Sequence, residues 1–173
     1  MLSGVASATA AFADVSARLS VIVLPLMTSS AEVTLYGVGD RVIPLDDLYT
    51  VLGNILEPDE IITEVQIPTP KPGTKQQYLK FRLRKAIDFA ISSVAAVITT
   101  EAGVVSDAKI VLGGVAPTPY RVISIEDAIK GETITESLAE TLAKAAVAEA
   151  TPLSMNAYKV PITKALVKRA IIE

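Results

Sequence analysis

The segment from Tyr78 to Asp88 carries the side chains best suited to chemistry. Lys80, Arg82, Arg84 and Lys85 place four cations within six positions, Lys71 and Lys75 lie just upstream, and Asp88 is the lone acid that follows. Alternation through Tyr78-Leu79-Lys80-Phe81-Arg82-Leu83-Arg84 predicts a strand with Tyr78, Lys80, Arg82 and Arg84 on one face. Leu79, Phe81 and Leu83 then take the other face. A cationic face beside one carboxylate suits an anionic or electron-rich ligand. It equally suits a solvated strand surface, because charged side chains are mostly exposed. At Asp88, pairing with Arg84 or closing the turn competes with a ligand role.

Two absences narrow the chemistry further. The 173 residues include no cysteine and no histidine. The chain therefore has no thiolate for an iron–sulfur cluster, no disulfide and no thiol nucleophile. It also lacks the usual acid–base catalyst near neutral pH and the commonest metal ligand, so Ser-His-Asp hydrolysis and ordinary zinc chemistry are excluded. No catalytic residue and no metal ligand is assigned. What remains is chemistry done by a bound cofactor, or none. A net charge of −3 argues against a general nucleic-acid binder. The apolar run at 19–27 is far short of the ~20 residues that span a bilayer, and no basic segment precedes it as in a signal peptide. It reads as a domain-edge element, and no membrane partner is expected.

The elements that must position these side chains can be read from pattern. Residues 31–45 alternate as a hairpin around Gly37-Val38-Gly39-Asp40, and Asp46 is expected to cap a short helix through Tyr49. Ile61 to Ile67 reads as a strand stopped by Pro68. Thr69-Pro70-Lys71-Pro72-Gly73-Thr74 reads as a linker. Three strands follow, at about 76–84, 90–100 and 104–112, with Glu101-Ala102-Gly103 turning the second into the third. Helices come last. A short one spans Glu126–Lys130 before Gly131. A longer one is expected to open on a Thr133/Glu136 capping box with Leu138, Leu142, Ala145, Ala146 and Ala150 as its stripe. The final one carries Tyr158, Ile162, Ala165, Leu166, Arg169 and Ala170 at helical spacing, with Pro161 within its first turn or bending it. Antiparallel strands followed by segregated helices indicate an α+β fold.

Five blocks occur in a telling order: RVIPLDDLYT, ILEPDEIITEVQIP, YLKFRLRKAIDFA, LGGVAPTPYR and LSMNAYKVPITKALVKRAI. As a series over roughly residues 31 to 173 they resemble the FAD-binding subunit of the xanthine dehydrogenase and carbon monoxide dehydrogenase family, the molybdenum hydroxylases. The resemblance implies a role in an oxidoreductase complex. A flavin subunit there relays electrons from iron–sulfur clusters through FAD to an acceptor, a molybdopterin-containing large subunit oxidises the substrate, and a small subunit holds the clusters. It implies an atypical segment at 1–30, the end of a second FAD-binding lobe at 31–70, and a C-terminal flavoprotein domain at 71–173, with three antiparallel strands against about three helices.

Carried over residue by residue, the cofactor-binding positions are Ile62, packing on the ring; Lys80, a cation near it; and Asp88, the acid of an R-x-x-D-F-A turn in which Lys85 replaces the arginine. The glycine-rich AGGT and TIGGN segments that hold the FAD pyrophosphate in the family do not occur in this sequence. Its one adjacent pair, Gly113-Gly114, matches a structural turn, and Asn156 and Tyr158 resemble the start of the family's final helix, which implies a cap and a packing role there. The resemblance therefore implies an FAD site completed by a separate N-terminal FAD-binding chain, in a cytoplasmic assembly. An alternative is a non-catalytic docking module of such a complex, using the apolar 19–27 run as its surface.

Overall fold

The computed structural model describes residues 6–7, 28, 30–37, 39–51, 53–84 and 88–173. The 19–27 run and the stretch from Lys85 to Ile87 lie outside them. The first described part is a sheet ordered β1-β6-β2-β3, built from β1 (Ala6–Ser7), β2 (Glu32–Tyr36), β3 (Arg41–Pro44) and β6 (Ile61–Ile67). Between β3 and β6 lie a 3₁₀ turn, Leu45–Asp47, and the short pair β4 (Tyr49–Thr50) and β5 (Gly53–Asn54). The second part is a sheet ordered β10-β9-β8-β7, from β7 (Thr74–Phe81), β8 (Ser92–Glu101), β9 (Val104–Gly113) and β10 (Tyr120–Arg121). All its pairings are antiparallel. Helices α1 (Ile123–Ile129), α2 (Glu136–Ala145) and α3 (Lys159–Ile172) follow it. The α+β class, with three long antiparallel strands after residue 74 and three helices beyond them, is as the sequence predicts. The two-residue β10 adds a fourth, short strand.

Alternation sorts β8 and β9 into two cores. Val94, Ala96 and Ile98 of β8, with Ala108, Ile110 and Leu112 of β9, meet the buried faces of α1, α2 and α3. Ala95 and Val111 point the other way and pack with Ala31, Val33, Leu35, Leu45 and Leu48 of the first part. Burial on both faces explains why these strands read as nearly continuous apolar runs. Ser92, at 0% exposure, is accommodated because its hydroxyl lies 2.7 Å from that of Thr163 on α3.

Several local expectations are corrected. Asp46 does not cap a helix. The 3₁₀ turn begins after Pro44 without a side-chain cap, and Asp46 instead reaches Arg121 at 3.6 Å. The N-cap of α2 is Thr135, whose hydroxyl accepts from Leu138 N at 3.1 Å, and Thr133 is not used. The start is set by packing: Ile134, just before the cap, and Ala139, at the fourth helical position, both lie in the helix-side core, the arrangement of a hydrophobic staple. The buried stripe is accordingly Ala139, Leu142 and Ala143, while Ala145 is exposed and Ala150 lies beyond the helix. After Ala145 the chain loosens into three-residue bonds, Ala148 N to Ala145 O and Ala150 N to Val147 O. Helix α1 starts at Ile123, ahead of the expected Glu126, because Glu126 turns inward. Pro161 falls in the first turn of α3 as expected, but Asn156 does not cap it, since Tyr158 stands at that position.

Glu126 is the buried charge of the fold. Only 1% exposed, it accepts from Ile110 N at 2.8 Å and from Arg121, whose Nη2 lies 2.8 Å from Oε2. Arg121 also faces Asp46, so one guanidinium ties the 3₁₀ turn of the first part to α1. Removing it leaves a buried carboxylate without its counter-ion. Arg121→Met is expected to cost about 3 kcal/mol in urea unfolding; a loss under ~1 kcal/mol would mean that Ile110 N alone suffices. Gly73 has φ +80°, and a Cβ there would lie 2.3 Å from Thr100 O. Gly73→Ala should therefore lower stability by about 1–3 kcal/mol in the same assay.

Candidate functional site

Strand β7 ends at Phe81, short of the cationic face that alternation predicts. Ile91 N donates to Phe81 O at 2.9 Å, so the chain leaves the sheet and returns at one point before β8 begins. Arg82, Leu83 and Arg84 lie on this excursion and are exposed, Leu83 at 82%. A single face of four cations is therefore corrected. The reason is Asp88. Its carboxylate accepts from Arg84 N at 3.2 Å, from the Arg84 guanidinium at 3.2 Å and from Phe89 N at 3.1 Å. Those bonds favour a closed turn over continued strand pairing.

Lys80 is the cation that remains on the sheet. It stands opposite Ser93 on β8, half-buried, and its Nζ donates to the backbone carbonyl of Asp88 at 2.9 Å. Among the described residues no carboxylate lies within ion-pair distance of it; the nearest in sequence, Asp88, is engaged by Arg84. The structure thus brings Lys80 and Asp88 together, through a main-chain oxygen.

Two hydroxyls share that sheet face. Tyr78 and Ser93 alternate with Leu79 and Val94 and so point away from the helices, and the oxygens of both are buried without a hydrogen-bond partner. Burial pushes the Tyr78 phenol above its ordinary value, and a weak hydrogen-bonding interaction with the neighbouring Ser93 hydroxyl, outside normal bond geometry, opposes that rise. Sequence reasoning missed this pair; its signal was a serine doublet inside an apolar strand. Ile62 lies elsewhere. It pairs with Leu35 beside Thr63, the extra residue of a bulge in β6, and packs, half-buried, on the core that Tyr78 closes from the other sheet. Gly114 has φ +74°, and a Cβ there would meet Ile91 O at 3.0 Å, so this glycine serves a close approach of two backbones.

The residues present fit part of a flavin. A half-buried ammonium lacking an acid partner suits the polar edge of an electron-accepting ring. The described residues offer no glycine-rich amide cradle for a pyrophosphate.

Residues 77–173 match the family described as the CO dehydrogenase flavoprotein C-terminal domain. The chain is 31% identical over 140 residues to the nicotine 6-hydroxylase medium subunit of Paenarthrobacter nicotinovorans, covering 78% of this chain and 48% of that protein. It is 32% identical over 140 residues to the carbon monoxide dehydrogenase medium chain of Hydrogenophaga pseudoflava, covering 77% and 48%. The solved carbon monoxide dehydrogenase of H. pseudoflava superposes with a TM-score of 0.78 at 30% identity, over 88% of this chain and 54% of that one. The chain thus spans about half the length of the relatives it matches.

Arg84 and the two backbone N–H groups hold the Asp88 carboxyl below its ordinary value, which is about 3.9. A depressed carboxyl stabilises the fold fully above that ordinary value, and the contribution fades as pH falls through the folded value. Amide protection at residues 82–84 and 88–91, taken relative to the intrinsic exchange rate at each pH, should therefore fall on acidification below about pH 4. In Asp88→Asn that protection should be low at every pH. In Arg84→Ala the Asp88 titration, followed by carboxyl-carbon NMR, should move up toward the ordinary value.

Proposed function

The chain belongs to the CO dehydrogenase flavoprotein C-terminal domain family, and from that premise we propose that it forms part of the flavin subunit of a molybdenum hydroxylase-type oxidoreductase. The subunit relays electrons from iron–sulfur clusters through FAD to an acceptor. In this reading residues 31–70 close the second FAD-binding lobe and 71–173 form the C-terminal flavoprotein domain. The partners are a molybdopterin-containing large subunit and an iron–sulfur small subunit, and the pyrophosphate loops lie outside this sequence. The assembly is cytoplasmic. Among the described residues no helix is long and apolar enough to cross a membrane.

Lys80 is the observation that carries the reading. A partly desolvated ammonium without a carboxylate is costly unless a negative charge arrives beside it. FAD, when bound, supplies the redox chemistry, and reduction places such charge on its ring. Lys80, held by the Asp88 carbonyl, favours that charge and orients toward it. Asp88 keeps the turn closed and draws Arg84 aside, so of the cations at 80, 82 and 84 only Lys80 stays on the sheet. Ile62 offers an aliphatic surface for the ring to pack on.

Mixed with FAD by itself, the purified chain should show little or no flavin absorbance after gel filtration; stoichiometric yellow protein would overturn the shared-site reading. In the complete flavin-loaded assembly, Lys80→Met should lower the flavin midpoint potential by on the order of 30 mV, about 1.4 kcal/mol for a two-electron couple, while Lys80→Arg keeps most of it. An unchanged potential in Lys80→Met would remove Lys80 from the site.

A further inference from the structure

Strand β7 is the outer strand of the second sheet, and no strand among the described residues pairs with its far side. The register decides which main-chain groups that side carries. Thr100 N donates to Gly73 O at 3.1 Å, so Gly73 and, at every second residue after it, Lys75, Gln77 and Leu79 turn their groups toward β8. The hydroxyls of Thr74 and Thr99, 2.8 Å apart, mark the close pair that alternates with the bonded ones. Gln76, Tyr78 and Lys80 therefore point their N–H and C=O groups outward. Together they form an open ladder.

Proteins blunt such an edge by keeping it short, breaking it with a bulge or a proline, or charging it. Strand β7 runs for eight residues, above the usual ~5–6, and contains no proline. It pairs with β8 without a shift of register. Charge is the device that remains: from Pro68 to Arg84 the chain has five cations and no acid. Lys71, Lys75 and Arg82 are exposed and hold no ion pair among the described residues. Among those residues, the one carboxylate bonded to a β7 side chain is that of Glu173. It accepts from Gln77 Nε2 at 2.7 Å and is held by Arg169. A second copy of β7 would set these cations against one another, and like charges across a strand pair repel. A strand carrying acids would be attracted. We propose that the free edge of β7 takes up an extended, acidic segment of a partner protein as a fifth strand. Main-chain bonds to Gln76, Tyr78 and Lys80 supply the affinity, as in other strand additions. Lys75, with Lys71 and Arg82 at the two ends, selects for acids. The proposal stands on the sheet and its charges and does not depend on the flavin reading.

In the full chain, ¹⁵N NMR should show amide exchange that alternates along β7, fast at Gln76, Tyr78 and Lys80 and slow at Lys75, Gln77 and Leu79. An end-blocked eight-residue peptide of alternating glutamate and valine should protect the first three amides saturably. The same peptide with lysine for glutamate should bind about tenfold more weakly, the change expected when a few exposed ion pairs become repulsions. N-methylation of one alternate set of peptide residues should abolish binding and of the other set should spare it, because one set alone faces the edge. Gln76→Pro removes an outward N–H that β8 does not use, so it should abolish binding while the β7–β8 amides stay protected. Lys75→Glu should weaken the glutamate peptide about threefold. Uniform exchange along β7 or equal binding of the two peptides would overturn the proposal. So would protection of Gln76, Tyr78 and Lys80 that rises with protein concentration alone and accompanies a dimeric mass, since the edge would then belong to a second copy.

Discussion

The burial of β8 and β9 on both faces is the constraint on which this structure rests. Helices cover one side and the first sheet covers the other, so each residue of these strands answers to one of two cores. The helix side takes branched and aliphatic residues, Val94, Ile98, Ile110 and Leu112, which fill the space beneath α1, α2 and α3. The opposite side meets the first sheet through Ala95 and Val111, and a small residue at Ala95 lets the layers approach. Polar groups in such a strand need partners within the protein. Ser92 finds one in Thr163, whereas Ser93, on the other face, has none.

Charge is distributed by the same logic. Most cations with a structural duty have an acid: Arg121 has Glu126 and Asp46, Arg41 has Glu60, and Lys164 and Lys168 share Glu140. Lys80 differs. The carboxylate nearest to it in sequence is committed to Arg84 and to the turn, and the ammonium is left with a carbonyl oxygen. In a chain without histidine or cysteine, that departure is the clearest chemical signature. It sits on the sheet face that looks toward the first sheet.

Much of the fold was legible because it is written in local pattern. Alternation marked the β2–β3 hairpin, β6 and the β8–β9 hairpin, and apolar spacing marked the helices. The misreadings share one cause. Thr133 and Asp46 are credible caps by local chemistry and Asn156 by resemblance, yet Ile134 set the start of α2, Arg121 drew Asp46 away, and Tyr158 stands at the position before α3. Lys80 and Asp88 were legible as residues, and Asp88 as a turn-closing partner of Arg84. Their juxtaposition through a main-chain oxygen was not.

By itself the sequence determined the α+β class, the order of elements, the exclusion of thiol and imidazole chemistry, and the family likeness carried by five ordered blocks. These depend on composition and on short-range periodicity, which backbone geometry converts directly into strands and helices. Tertiary structure alone decided that Lys80 sits half-buried beside a carbonyl and not a carboxylate, that Tyr78 and Ser93 are buried together, and that Arg121 joins the first part to α1. Each depends on what another segment, distant in the chain, brings within about 3 Å, the reach of a hydrogen bond.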